Sequence, residues 1–400
     1  MVLLQGSKVK GPLLLLAVLF FSLFFGGLLP TEWKSVAYGV SLTIKEVLIF
    51  VLPTLIFSYV FSSMVNLQRR AMHFVLLVVP LVCLSNFTST WLAYFCGSLF
   101  IPNEIAVTGF MDSDANLLAP WQLKLPQLVS NDLALFFGMI MGIASAFKVP
   151  NSAKRWSQNL LAFSNGVLNR FFVPIMPIFI LGFTLKLEHD QVLKALCQNY
   201  LTIFLMIFGT AFGYILLVYG ALSRLRLKIW WQYLSNMWPA ALAGFSTMSS
   251  AAAMPLTLHA AEKNTQRPDI SGPVIPATVN IHLVGDCFAI PIFALAILLS
   301  FGHGFPDIQS YAAFVFYFVL AKFAVAGVPG GGILVMLPVL QQHLGFSSEM
   351  LSLITVLYII FDPVVTAANV FGNGAFVIFF SNVFEHLKGL QVRKTGEVGS

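Results

Sequence analysis

Long apolar segments alternate with short polar loops along nearly the whole chain. Continuous apolar runs cover residues 11–30, 40–64, 71–100, 126–147, 157–185, 197–222, 271–301 and 349–385. A helix needs about 20 mainly apolar residues to cross the hydrocarbon core of a bilayer. Each of these runs is long enough, so the pattern predicts an all-α polytopic membrane protein.

Two further apolar segments, residues 232–262 and 309–343, are interrupted by small and polar residues. The first contains the serine-rich run Gly244–Pro255, and the second contains the glycine-rich run Ala326–Gly332. Irregular backbone cannot face lipid, because its N–H and C=O groups would lack hydrogen-bond partners. Paired interruptions in two half-repeats point to the substrate site of a transporter. We therefore predict eight transmembrane helices and two re-entrant helical hairpins.

The composition leaves little room for a soluble domain. Of the 400 residues, 58% are hydrophobic and 10% are charged, against about 25% charged in a typical soluble domain. The net charge of +6 does not mark a nucleic-acid binder, because the basic residues lie in short loops. An enzyme is not expected either, since the chain has no HExxH motif and no serine–lysine or aspartate pair placed for hydrolysis.

The distribution of lysine and arginine predicts the orientation in the membrane. With the N-terminus in the cytoplasm, the inner loops and termini hold fifteen of these residues and the outer loops hold four, as the positive-inside rule requires. Lys263 and Arg267 join the inner group only if segment 232–262 turns back instead of crossing. We expect a bacterial inner-membrane protein with both termini in the cytoplasm.

The last apolar segment carries a stripe of polar residues. Asp362, Thr366, Asn369 and Asn373 are spaced by 4, 3 and 4 residues, so they share one face of a helix. A carboxylate inside a membrane is costly and normally faces a cavity or a partner. The stripe is either a polar seam between helices or a ligand-binding surface. In the second interpretation Asp362 takes an amine and Asn369 donates to a carboxylate.

Segment 271–301 carries Asn280, His282 and Asp286. His282 and Asp286 are four residues apart and can meet on one helical face. The pair could hold a proton, or it could be an internal hydrogen bond that fixes the helix. Lys322, just before the second interruption, either extends to the outer surface or places an ammonium beside the hairpin tip.

These residues resemble the dicarboxylate/amino acid:cation symporter family, the glutamate transporter homologues. The run Thr247–Thr257 looks like the family's serine-rich first hairpin, and Ala277–Asn280 looks like the start of its seventh-helix motif. Gly327–Gly330 matches the tip of its second hairpin, and Asp362–Asn369 follows its eighth helix. The resemblance implies a homotrimer with inverted repeats, in which a transport domain moves like an elevator against a static scaffold and the second hairpin is the extracellular gate.

The same resemblance implies a division of the chain. Residues 1–230 are mainly scaffold and trimerisation helices, of which helices 3 and 6 move with the transport domain. Residues 231–388 form the transport core, and 389–400 form a cytoplasmic tail. Membrane lipid and a small amino acid are the further partners expected, and no organic cofactor is.

The implied site residues fall into two groups. The substrate-binding group is Ser249, Ser250, Val328, Pro329, Gly330, Asp362, Val365, Thr366 and Asn369. The cation- or proton-coupling group is Thr88, Ser89, Asn280, His282, Asp286, Lys322 and Asn373. Asn280, Asn369 and Asn373 could form a residual Na⁺ site, while Thr88 and Ser89 fall on hydroxyls of a buried sodium site.

Several positions depart from the family pattern. Val365 and Met248 stand where the family has arginines, and a dicarboxylate there would bring an uncompensated charge into a dry pocket. We therefore expect a small neutral amino acid. His282 and Asn373 replace sodium-binding aspartates, and Lys322 falls beside the carbonyls of a third sodium site. We hypothesise that H⁺ replaces some or all of the Na⁺, with His282 and Asp286 as carriers and Lys322 as a tethered cation.

Other functions remain open at this point. A sodium-coupled symporter for acidic amino acids or dicarboxylates would follow the parent family. An uncoupled leak or channel would use the same fold, since the family also conducts anions. A non-transporting scaffold or receptor would explain the altered ion sites, although the stripe from Asp362 to Asn369 argues against it.

Overall fold

The protein is described from a computed structural model. The structure describes residues 14, 17–18, 20–68, 72–101, 117–126, 128–167, 170–171, 173–190, 192–325 and 330–396. Helices dominate these ranges, which contain no β-strand. The predicted all-α class is therefore confirmed for the described part of the chain.

In the described part of the first half, six long helices follow a short 3-10 turn at Gly26–Leu28. They are α1 (Thr31–Gln68), α2 (Met72–Phe100), α3 (Asn131–Lys148), α4 (Pro150–Val167), α5 (Val173–His189) and α6 (Val192–Leu222). Helix α1 packs along α3, α4 and α5, whereas α2 and α6 pack mainly against helices of the second half. The first half therefore divides into two sets of helices by its contacts.

The second half contains shorter helices around one very long one. They are α7 (Leu227–Thr247), α8 (Ser250–Thr265), α9 (Pro268–Thr278), α10 (Val284–Ser300), α11 (Ile308–Ala321), α12 (Gly331–Leu344) and α13 (Ser348–Gly396), with a 3-10 turn at Lys322–Ala324 after α11. Helix α13 packs against α6, α7, α8 and α10, and most of its first 35 residues are buried. It is the central element of this half.

Helices α7 and α8 form the first hairpin. The chain turns at Met248, which adopts a left-handed conformation with φ 49°, and the Ser249 side chain caps α8 by accepting from the Ala252 N–H. At the other end Asn236 Nδ2 donates to Asn264 Oδ1 over 2.8 Å. Contact between residues so far from the turn requires the two helices to run antiparallel.

Helices α11 and α12 form the second hairpin. The rings of Tyr317 and His343 stack with centroids 4.2 Å apart, which brings together residues on opposite sides of the turn. Gly330 precedes α12 with φ 71°, a left-handed conformation that glycine adopts without strain. Residues 326–329 lie outside the described part of the chain.

The predicted continuous span 271–301 is wrong, because two helices replace it. Helix α9 ends at Thr278 and α10 begins at Val284. Side chains satisfy the backbone freed by the break: Asn86 Nδ2 donates to the Ile281 carbonyl over 2.7 Å, and Asn86 Oδ1 accepts from the Leu283 N–H over 3.3 Å. Broken helices of this kind occur in membranes where protein groups satisfy the backbone.

Two other predicted boundaries are also corrected. The predicted span 157–185 is two helices, α4 and α5, and Pro174 lies at the start of α5, where a missing N–H costs no helical hydrogen bond. The predicted span 40–64 extends to Thr31–Gln68. Within the described ranges, four helical segments are long and apolar enough to cross a membrane by length and composition: Thr31–Val65, Leu77–Phe100, Leu201–Leu222 and Ser348–Leu387.

Candidate functional site

The polar stripe of α13 lies inside the protein. Asp362, Thr366, Asn369 and Asn373 are each at most 4% exposed, although the helix that carries them is strongly apolar. Burying unpaired polar groups is costly, so each must be bonded or await a partner. Their surroundings come from the hairpin tips and from the break between α9 and α10.

Asp362 connects α13 to the second hairpin. Its Oδ2 accepts from the Gly330 N–H over 2.9 Å, and its Oδ1 accepts from Thr366 Oγ1 over 3.0 Å. Gly330 stands immediately before α12 and has no side chain to cap that helix. The carboxylate therefore serves one of the unpaired N–H groups at a helix start, where negative charge is favourable.

Asn369 and Asp286 join α13 to α10. Asn369 Oδ1 accepts from the Gly285 N–H over 2.8 Å, and its Nδ2 donates to Asp286 Oδ2 over 2.7 Å. Tyr358 donates its hydroxyl to Asp286 Oδ1, also over 2.7 Å. The Asn369 amide thus holds the start of α10, and one of its two donor hydrogens is left for a ligand.

Lys322 is fully buried beside this network. Its Nζ lies 3.8 Å from Asp286 Oδ1 and 4.2 Å from the centre of the Phe318 ring, and its exposure is 0%. Of the two alternatives for Lys322, extension to the outer surface is therefore wrong. The other alternative placed the ammonium beside the tip of the second hairpin, and the tip residues 326–329 lie outside the described range. Among the described residues, the ammonium lies near Asp286 and Phe318.

The predicted meeting of His282 and Asp286 is also wrong. His282 Nε2 shares a 2.8 Å hydrogen bond with Ser85 Oγ, while Asp286 bonds Tyr358 and Asn369. Residues four apart meet only on a continuous helix, and the backbone at Leu283 is not helical, with φ −125° and ψ 69°.

His282 instead borders an apolar cavity of about 250 Å³ between α2, α6 and α13. Ser85 and Thr88 are among the residues that line it, and the Phe376 ring lies against the imidazole with the ring centroids 4.5 Å apart and the planes tilted by 37°. Thr88 is exposed, whereas Ser89 is buried and donates to the Ser85 carbonyl over 2.8 Å. The two hydroxyls expected at one buried sodium site therefore differ in their surroundings.

Two buried amide oxygens have no hydrogen-bond partner among the described residues. They are Asn280 Oδ1 and Asn373 Oδ1. Asn373 uses its Nδ2 for the carbonyls of His282 and Asn369, at 3.2 and 2.9 Å. Hard oxygen ligands suit alkali and alkaline-earth cations, so each of these oxygens has the chemistry of a sodium ligand. Asn369 Oδ1 fits less well, because it already accepts from two backbone N–H groups.

A small cavity of about 30 Å³ lies between the first hairpin and α13. It could hold about two water molecules, so an amino acid would enter only after the hairpins separate. The cavity is lined by Met248, Ser249, Ser250, Asn280, Leu283, Asp286, Val325, Gly332, Tyr358, Asp362, Thr366 and Asn369. Val365 is buried but does not line it, and Val328 and Pro329 lie outside the described residues.

Two residues at the site were not predicted. Tyr358 bonds Asp286, and Asn86 holds the broken backbone between α9 and α10. The first had a signal in the sequence, since Tyr358 lies four residues before Asp362 and extends the polar stripe by one turn. Asn86 had a weaker one, an amide side chain within a mostly apolar span.

Comparison with known proteins supplies the family. A sequence model of the sodium:dicarboxylate symporter family matches residues 12–383. A serine/threonine transporter, SstT, of Enterococcus faecalis is 23% identical over 351 residues, covering 81% of this chain and 79% of the relative. An SstT of Acinetobacter baumannii is 24% identical over 323 residues, covering 75% and 77%. A putative sodium-dependent excitatory amino acid transporter, glt-4, of Caenorhabditis elegans is 25% identical over 319 residues, covering 76% and 61%.

Proposed function

This chain belongs to the sodium:dicarboxylate symporter family, and we propose that it moves a small neutral amino acid across the membrane, coupled to a cation. Membership makes it an integral membrane transporter. The substrate class, the coupling ion and the way the protein moves are the proposal. The observation that carries the proposal is the buried Asp362 at the tip of the second hairpin.

Asp362 is placed to bind an amine. Its two oxygens accept from the Gly330 N–H and the Thr366 hydroxyl, which leaves lone pairs for a substrate ammonium. Ser249 and Ser250 line the same cavity from the first hairpin. The start of α8, with its unpaired N–H groups and positive partial charge, suits the substrate carboxylate.

The charges of the cavity favour a neutral substrate over an acidic one. Asp286 and Asp362 line the cavity, whereas no lysine, arginine or histidine does so among the described residues. Met248 contributes an apolar side chain from the first hairpin. A second carboxylate on the substrate would meet the charge of Asp362, and no cationic side chain of the described lining would compensate it. The names of the two SstT relatives, serine/threonine transporters, support the same class.

Cation coupling is supported by the amide oxygens of Asn280 and Asn373, which have no hydrogen-bond partner within the part of the chain that the structure describes. A sodium ion would be carried there as a co-substrate, held by amide oxygens, as the family description suggests. His282 stands apart from Asp286, so a proton shared between these two side chains is no longer part of the proposal. The coupling ion is Na⁺ or H⁺, and imposed gradients separate the two.

The proposed architecture has eight membrane-spanning helices, two re-entrant hairpins and an inverted repeat. Residues 1–230 supply the scaffold and the contacts of a lipid-embedded homotrimer. Helices α2 and α6, which correspond to the third and sixth predicted spans, move with the transport core of residues 231–388. The packing of α2 on α10 and of α6 on α13 supports this grouping. The transport core moves as an elevator, and the termini, with the tail 389–400, face the cytoplasm of a bacterial inner membrane.

The test is uptake by the purified protein in proteoliposomes. Labelled serine, threonine and alanine are compared with glutamate and succinate, under a Na⁺ gradient at equal pH and under a pH gradient without Na⁺. We expect saturable uptake and counterflow of at least one neutral amino acid, driven by one of the two gradients. Preferential uptake of glutamate or succinate would contradict the substrate class, and flux without counterflow would indicate a leak.

A further inference from the structure

Lys322 has surroundings suited to a permanent positive charge. It directly follows α11, whose C-terminal carbonyls carry negative partial charge. The Phe318 ring, one turn earlier in the same helix, presents its face to the ammonium at 4.2 Å. Asp286 Oδ1 lies 3.8 Å from the ammonium. Three independent features therefore favour a cation at this buried position.

The ammonium makes no hydrogen bond among the described residues, although it is completely buried. A lysine that serves only as a structural link normally donates to its carboxylate directly, because unmade hydrogen bonds of a buried charge are costly. At 3.8 Å the attraction to Asp286 is that of a nearby counter-ion. Asp286 takes its short hydrogen bonds from Tyr358 and Asn369 instead.

We propose that the Lys322 ammonium is a built-in counter-cation for Asp286, standing where the carboxylate would otherwise need a bound alkali cation. It neutralises the charge that Asp286 brings into the core, and it travels with the protein on both halves of the transport cycle. This inference rests on the proposed cation coupling and deepens it. The chain carries one positive charge of its own at Asp286, distinct from any ion held by Asn280 and Asn373.

The test is a variant in which the Lys322 side chain is truncated to alanine. In Lys322→Ala the carboxylate of Asp286 loses its counter-ion, and a small cation can enter the vacated volume. The full-length protein is purified in lipid nanodiscs without amino acid, and thermal unfolding is followed while NaCl replaces choline chloride at constant ionic strength. Because a ligand of the native state raises its stability, we expect Na⁺ to raise the Tm of Lys322→Ala by about 2–4 °C more than that of the wild type.

Two further variants separate this effect from general damage. Lys45→Ala removes another buried lysine, whose ammonium bonds Ser348 Oγ over 2.7 Å, and its Na⁺ response should equal that of the wild type. The double variant Lys322→Ala/Asp286→Asn removes both charges, so the extra Na⁺ response should disappear. An unchanged Na⁺ response in Lys322→Ala, or one that persists in the double variant, would overturn the proposal.

A failure of Lys322→Ala to fold is also informative. Its yield of monodisperse protein is then measured after extraction in NaCl and in choline chloride. Recovery in NaCl, or recovery through the added Asp286→Asn change, supports the proposal. Equal loss under all these conditions contradicts it. Since no amino acid is present, the outcome does not depend on whether the proposed substrate class is right.

Discussion

In the first hairpin, residues of the hairpin itself form and cap the turn. In the second hairpin, a carboxylate from another helix binds the backbone at the start of the hairpin's second helix. In the first, Met248 makes the turn and Ser249 caps α8. In the second, the Gly330 N–H depends on Asp362 of α13. In the proposed function an amine bound to Asp362 would share this carboxylate with the Gly330 N–H, so ligand binding would act directly on the second hairpin. This difference supports the second hairpin as the gate.

The bases of the hairpins differ as well. Asn236 and Asn264 join the helices of the first hairpin by a hydrogen bond of 2.8 Å, while Tyr317 and His343 join those of the second by ring stacking. Helix α12 is buried over Gly331–Leu340, whereas α8 alternates buried and exposed positions. The second hairpin is therefore the more dependent on its neighbours.

The largest effect is expected from Asp362→Asn. The change removes the charge that attracts the amine and places an amide where the Gly330 N–H needs an acceptor. Because hydrogen bonds to charged groups contribute the most, we expect uptake to fall roughly 100-fold. Asp269→Asn is the matched control, since Asp269 forms an exposed ion pair with Arg267 and such pairs contribute little. Comparable losses in both variants would remove Asp362 from substrate binding.

Gly332→Ala should have the second largest effect. A Cβ at Gly332 would lie 2.4 Å from Asp286 Oδ1 and 2.5 Å from the Tyr358 hydroxyl, so it would force these two groups apart. Overpacking of this kind costs about 1–3 kcal/mol, and we expect a lower Tm together with reduced uptake. In Gly272→Ala the new Cβ would meet no other described group within 4 Å, so that variant should be at least as stable as the wild type, since alanine favours a helix over glycine. If Gly332→Ala kept the Tm of the wild type, α12 would be able to shift and make room for the added Cβ.

The sequence predicted the hairpins and Asp362 because both depend on local patterns. Polar interruptions of apolar runs mark a hairpin, and a 4-3-4 spacing marks a helical face. It did not predict that Asn369 would hold the start of α10 or that Asn86 would bridge the break after Thr278, and it left open whether Lys322 would turn outward or inward. These outcomes depend on contacts between residues far apart in the sequence; Asn369, for example, contacts residues 83 or more positions away. The spacing of residues within one helix does not carry that information.

Ser249→Ala should have a smaller effect, confined to the first hairpin. The Ser249 hydroxyl accepts from the Ala252 N–H over 3.2 Å, and loss of such a cap costs about 1 kcal/mol. We expect a modest fall in Tm, measured by thermal unfolding in nanodiscs. Since the Asp362–Gly330 hydrogen bond is untouched, the loss of uptake should stay far below that of Asp362→Asn. An equal loss of uptake would mean that the first hairpin also acts as a gate.

The smallest effect is expected at the entrance to the second hairpin, where Asp307 caps α11. Hydrogen bonds from the Ser310 N–H and hydroxyl and from the Gln309 N–H hold the pKa of Asp307 below its usual value of 3.8. A lowered pKa in the folded state gives stability that is present above 3.8 and lost as the pH falls through the folded-state pKa. Asp307→Ala should therefore lower Tm slightly at neutral pH.

That difference in Tm should shrink as the pH falls below 3.8, because the protonated carboxyl of the wild type no longer caps as a charge. The difference caused by Ser249→Ala should stay constant over the same range, since a hydroxyl does not titrate there. Scanning fluorimetry of the three proteins across a pH series provides the measurement. If the Asp307→Ala difference is as insensitive to pH as that of Ser249→Ala, the two hairpins do not differ in the charge of their caps.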